Sequence, residues 1–177
     1  MLIFRFLASG NPQISMSFSY RIAPSTVYST TISTCEAIWN KLSPTELPQP
    51  TEEEWNKNGE EFYSLWQFPN CIGAIDGKHT EIQAPHNSGS LLFNYKKTFS
   101  VVVLVLVDAN YKFTMIDLGG YGKSSEGLFT RSILGKLLEA NTLNISNSKP
   151  PPNSQEPLPF VTVDDEAFPL KKYLLRP

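Results

Sequence analysis

Residues 68–77 read Phe68-Pro69-Asn70-Cys71-Ile72-Gly73-Ala74-Ile75-Asp76-Gly77, an apolar run of strand character with one aspartate set at its end. A carboxylate held among Ile72, Ala74 and Ile75 loses hydration, and a bound cation is the usual reason for tolerating that cost. Far downstream the arrangement recurs: Phe160-Val161-Thr162-Val163 is a short apolar run ending in Asp164-Asp165-Glu166. Two such strands in register would present carboxylates to one metal. Taken alone, Asp76-Gly77 is also a common turn pair.

Four ordered motifs accompany that pair. FPNCIGAIDGKH, SGSLLFNYKKTFSVVVLVLVDANYKF, IDLGGYGKSSEG and VDDEAFPLKKYLLRP resemble the catalytic domain of PIF/Harbinger-type DDE transposases and Harbinger transposase-derived nucleases. The resemblance extends back through CEAIW and PTEEEW over nearly the whole chain. It implies a ribonuclease-H-like fold and endonuclease chemistry on DNA with a divalent metal, Mg or Mn. Asp76 and Asp165 stand in the places of the family's first two acids, as catalytic residues and metal ligands. Asp164 occupies a position where the family often has a small or uncharged residue, and Glu126 takes the place of an aspartate at a helix start, where either acid is welcome. The third acid is expected on a helix beyond the second aspartate, yet the chain stops at Arg176-Pro177. The resemblance therefore implies a truncated or catalytically impaired copy, without the last strand of its sheet, whose exposed edge or apolar face invites self-association. The alternative is a non-catalytic DNA-associated or protein-interaction module that keeps the fold. A Myb-like protein partner for DNA targeting is common in the family. Nuclear residence follows from a DNA substrate, with the cytoplasm as a second compartment.

Composition sets looser bounds. The chain has 177 residues, 41% of them hydrophobic, enough for a sizeable core. Its net charge of −2 and pI of 5.7 give no global basic field, so DNA contact must use local patches. The cysteines, Cys35 and Cys71, read as reduced, buried thiols of an intracellular protein. No run reaches transmembrane length, so no membrane partner is expected, and MLIFRFLA is too short and too interrupted by Arg5 for a secretory signal. Neither His79 nor His86 has a G-x-S-x-G partner, which speaks against a small-molecule hydrolase.

The organisation reads as a helical region over 1–67 and an endonuclease domain over 68–177. Short helices are expected at Leu2–Ala8, Ile14–Tyr20 and after Pro24, the last with Val27, Ile32, Cys35, Ile38, Trp39 and Leu42 on one face. They suit either a helix-turn-helix or a small bundle packed on the second domain. Pro44 to Pro50 reads as a linker, and Thr51 with Glu54 forms a capping box ahead of a helix carrying Trp55, Phe62, Leu65 and Trp66. Strands follow at Cys71–Gln83, Phe99–Asp108 and Tyr111–Leu118, the last two joined at Ala109-Asn110. The valine-rich run to Val107 suggests a strand buried on both faces. A helix over Glu126–Leu138 with Phe129, Ile133, Leu134, Leu137 and Leu138 inward, a surface loop over Asn141–Leu158 and a fourth strand at Phe160–Val163 complete an α/β, partial ribonuclease-H-like mixed sheet.

The remaining site candidates are polar. Lys78, Lys96, Lys97 and Lys123, with Asn94 and Tyr95, make the best local phosphate-facing rim, with a solvated face as the alternative. His79 is placed either to contact a scissile phosphate or as a hydrogen-bonded strand histidine. Asp117 ends a strand where it would face the same cleft, and Glu166 reads as supporting rather than ligating.

Overall fold

The run of β-branched and small residues from Cys71 forms β1, Cys71–Glu81, which sits at the centre of a five-stranded sheet of order β3-β2-β1-β4-β5. Strands β2, Ser100–Val107, and β3, Phe113–Gly120, pair antiparallel with their predecessors, whereas β4, Val161–Val163, runs parallel to β1. The order matches the expected α/β mixed sheet and is that of a ribonuclease-H-like fold. In this computed structural model the described residues are 1–120, 125–146, 148–152, 154–166 and 168–176, and the side chains at 119, 120, 125, 126 and 128 fall outside the description. A fifth, two-residue strand, β5 at Leu174–Leu175, pairs parallel with β4, one strand more than the four that the sequence reading expects.

The chain divides into two compact units, Met1–Pro48 and Gln49–Pro177. The first holds α1 (Leu2–Ser9), closed by Gly10 at φ 62, then α2 (Gln13–Tyr20) and α3 (Pro24–Glu46). Pro44, expected in a linker, lies inside the last turn of α3. Of the face expected to be buried on α3 only Val27 is buried, while Ile32, Trp39 and Leu42 are exposed.

The second unit begins with α4, Glu52–Trp66, which packs with β1. Its start is the expected capping box: Glu54 donates its backbone N–H to Thr51 Oγ1 (3.3 Å), and Thr51 donates its own to Glu54 Oε2 (2.8 Å). Trp55 is buried, and its indole N–H donates to the Leu143 carbonyl at 2.8 Å. Leu143 thereby joins the core, while most of the described residues over 141–158 are exposed, as a surface loop requires.

Between β3 and β4 the expected single helix is two, α5 (Ser125–Arg131) and α6 (Ile133–Glu139). Ser132 makes the corner: its hydroxyl donates to the Phe129 carbonyl (2.6 Å) and accepts the Gly135 N–H (2.8 Å). A Cβ on Gly135 would stand 1.9 Å from that carbonyl oxygen, so only glycine fits. The bend keeps Phe129, Leu134 and Leu138 inward but turns Ile133 out, 64% exposed.

These helices cover one face of the sheet. Val102, Leu104 and Leu106 of β2 are buried with Ile75, Phe129, Leu134 and Phe168, while Val101, Val103, Val105 and Val107 are half-buried. The valine-rich strand is therefore closed on one face only, which corrects the expectation of burial on both. The β2–β3 connection spans 108–112, where Asp108 Oδ1 accepts the N–H groups of Asn110 and Lys112 at 2.8 Å each. Cys71 lies in the wall of the sheet, and burial pushes its thiol up to about 12, leaving it inert. Among the described residues no helix is long and apolar enough to cross a membrane.

Candidate active site

The parallel pairing of β1 and β4 sets the site. Ala74 stands opposite Val163, and two residues further along each chain lie Asp76 and Asp165, both exposed. β4 ends at Val163, so the register sets the starting point of each acid, two residues past a paired position at the same end of the sheet. Asp76 Oδ1 accepts the N–H of Gly77 at 2.7 Å, which steadies its rotamer and leaves Oδ2 available.

Next to Asp165 in the chain stands another carboxylate, Asp164. It is 6% exposed; its backbone N–H donates to the Leu175 carbonyl (3.0 Å) and its Oδ1 accepts the N–H of Asp165 (2.7 Å). Its Oδ2 is buried with no hydrogen-bond partner. Burial raises its pKa to about 8; the hydrogen bond from Asp165 opposes this, and the charges of Asp165 and Asp76 add to it. The strand end thus concentrates more carboxylate than its donors satisfy.

The donor set suits a hard cation. Two exposed carboxylates, one on β1 and one just past the end of β4, are oxygen ligands of the kind Mg²⁺ uses when water and substrate phosphate complete its shell. Among the described residues no group of three histidine, cysteine, aspartate or glutamate side chains converges to hold an ion. Asp117 does not complete the site: it pairs with Leu104, whereas Asp76 pairs with Val105, which puts it on the opposite face. There its Oδ2 accepts the N–H of Ile133 and caps α6. Glu166 is exposed, and the Arg176 guanidinium reaches its carbonyl oxygen at 3.5 Å.

The same alternation divides the other candidates. Lys78 lies on the Asp76 face, exposed. His79 lies on the opposite face with Gly77, half-buried, its Nδ1 2.8 Å from Ser100 Oγ and its ring edge-on to Tyr95. With β1 regular through this stretch, the ring stands on the face opposite Asp76, hydrogen-bonded to Ser100. Asn94 is buried and spends its amide on Thr98 and Ser100, so it does not present that amide to a nucleic acid, contrary to its place on the expected rim. Tyr95, Lys96 and Lys97 are exposed, with Lys96 Nζ 5.6 Å from the centre of the Tyr95 ring. Lys123 and the side chain of Glu126 fall outside the described residues. Asp164's buried orphan oxygen and the Ser100–Asn94 network were not read from the sequence; two adjacent aspartates at a strand end were the signal for the first, and nothing in the spacing signals the second.

A sheet of this order with an aspartate on its central strand and another at the end of the adjacent parallel strand is the frame of a DDE-type nuclease domain. Residues 75–177, from just before Asp76 through β5, match the family described as DDE superfamily endonuclease, and the chain belongs to that family. It is also similar to Protein ALP1-like of Arabidopsis thaliana, with 29% identity over 119 residues, 66% of this chain. The matched part is 29% of that relative's length, so the chain spans well under two thirds of it. No solved structure matches.

Proposed function

We propose that this chain carries part of the active site of a divalent-metal DNA endonuclease of the PIF/Harbinger type, with Asp76 and Asp165 as catalytic residues and ligands of Mg²⁺ or Mn²⁺. The register of Ala74 opposite Val163, with an aspartate two residues further on in each chain, supports this reading most directly. A divalent ion there would polarise a phosphodiester and lower the pKa of the attacking water or hydroxyl. Asp76 and Asp165 bind and orient; Lys78, on the same face, neutralises a neighbouring phosphate. Lys96, Lys97, Lys123 and Tyr95 are proposed DNA contacts beyond the reacting centre. A Myb-like partner, nuclear residence and self-association through the incomplete sheet belong to the same proposal.

A second reading, a non-catalytic DNA-associated or protein-interaction module, is favoured by one observation: no third acid joins Asp76 and Asp165 among the described residues. Nicking of supercoiled plasmid with Mn²⁺ by the chain and by Asp76→Ala decides between them. Mn²⁺-dependent nicking that Asp76→Ala abolishes is the expected result; DNA binding without nicking would move the assignment to the module.

A further inference from the structure

The polar network behind His79 has a direction that can be worked out donor by donor. It starts at Thr98, whose backbone N–H is 3.1 Å from Asn94 Oδ1. A backbone N–H can only donate, so this contact fixes which end of the Asn94 amide is oxygen. The NH₂ end is then the one that reaches Thr98 Oγ1 (3.0 Å) and Ser100 Oγ (2.9 Å), using both of its protons. Ser100 is 4% exposed, and its hydroxyl accepts from Asn94 while His79 Nδ1 lies 2.8 Å away. A hydroxyl oxygen can accept twice, but its buried proton also needs an acceptor, and a neutral ring protonated on Nε2 supplies one at Nδ1.

Nε2 has no partner among the described residues, and it is not among the buried unpartnered atoms, so it faces solvent as a hydrogen-bond donor. Its surroundings are suited to an anion. Tyr95 packs its ring against the imidazole, and Lys96 and Lys97 follow on the same loop, both exposed. Glu81, the nearest acid on that face of β1, lies close enough for the Thr98 hydroxyl to donate to it at 3.3 Å.

We propose that His79 is a donor to a phosphodiester oxygen of DNA bound on the face opposite Asp76, and that Ser100 and Asn94 are positioning residues that hold its proton on Nε2. This rests on DNA being the ligand of the domain, and it assigns His79 to flanking backbone rather than to the scissile bond. Buried groups that fix a neutral histidine tautomer make the outer nitrogen a donor without requiring a charged ring, as partners behind metal-bound histidines do.

The test uses the whole ¹⁵N-labelled chain. A long-range ¹H–¹⁵N spectrum of the neutral imidazole reads the tautomer directly, and titration with inorganic phosphate and with a short oligothymidylate reads the ligand. Expected are a single Nε2–H tautomer that becomes mixed in Ser100→Ala, and an oligonucleotide-induced shift at Nε2. Binding should weaken about tenfold in His79→Ala and be largely kept in His79→Gln, whose amide supplies a donor near the same point. An Nδ1–H tautomer in the wild type, or oligonucleotide binding unchanged in His79→Ala, overturns the proposal. A response to inorganic phosphate alone reassigns the site to a small anion and overturns the DNA contact. Should Ser100→Ala not fold, His79→Gln against His79→Ala, at a half-exposed ring, carries the test. Mn²⁺ nicking and its loss in Asp76→Ala are read separately, so failure of the nuclease reading leaves the tautomer result standing.

Discussion

The two faces of β1 differ in what they ask of consecutive residues. Ile75, Gly77 and His79 point to the side that α5 and α6 cover, where Gly77 leaves room for Phe168, whose Cζ would be 3.3 Å from an added Cβ. Asp76, Lys78 and Thr80 point the other way, to a face where the valines of β2 are half-buried and Leu118 of β3 is 61% exposed. Strand alternation thus splits Asp76-Gly77-Lys78-His79 into two pairs with separate duties. One face holds most of the core and, at its margin, the half-buried His79 with its network; the other holds an exposed carboxylate and lysine.

The largest effect should separate the faces by stability. Leu104→Ala, on the closed side, is expected to cost about 2–5 kcal/mol, while Val105→Ala, half-buried on the open side, should cost less than about 1.5 kcal/mol. Urea unfolding measures both. Equal losses would mean that the Asp76 face is covered in solution.

The second effect tests the open end of the strand. Because a ligand that binds only the native state stabilises it by mass action, Mn²⁺ at a hundredfold excess over its Kd should add about 2.7 kcal/mol. Asp76→Ala should abolish the gain. Thermal unfolding with and without the ion reads it, and stabilisation that survives Asp76→Ala would place the ion elsewhere.

Asp164 supplies a third, pH-dependent contrast. Its folded pKa, raised to about 8 by burial, lies above the unfolded value, so the native state holds a proton that the unfolded chain releases. Stability from this group is greatest below about pH 4 and falls by up to about 1.4 kcal/mol per pH unit until about pH 8. Glu139, whose pKa is lowered by the Tyr173 hydroxyl and by Lys171, acts with the opposite sign and only below its ordinary range. Asp164→Asn should flatten the decline in metal-free protein; an unchanged slope would mean that Asp164 is hydrated.

What the sequence made legible follows from how locally each feature is encoded. The capping box at Thr51–Glu54, the alternation of β1 and the order of strands are written in neighbouring residues, and the parallel pairing of β1 with β4 needed only strand direction in addition. The break at Ser132 was missed because serine inside an apolar helical spacing is also an ordinary helix residue; its role depends on the Phe129 carbonyl and the bare Gly135. β5 was missed because Leu174–Leu175 is too short for a period to be read. Burial of Asn94 depends on Ser100 and Thr98 meeting across a loop, which no spacing rule anticipates. The opposite placement of Asp76 and His79 was available from alternation alone.

The smallest effect asks whether nucleic acid touches one face or both. Each lysine that neutralises a phosphate contributes about 0.7 to the salt slope of single-strand binding and about 0.9 to that of duplex binding. Lys78→Ala removes the cation on the Asp76 face, and Lys96→Ala with Lys97→Ala removes those of the Tyr95 loop, all exposed. If DNA passes from the carboxylates over the strand end to the His79 side, both changes lower the slope, the double variant by about twice as much as the single. A slope that falls only with Lys78→Ala would confine DNA to the Asp76 face and leave the loop lysines solvated. A slope that falls only with the double variant would mean that binding and the acidic site are uncoupled, as a module without nuclease chemistry requires.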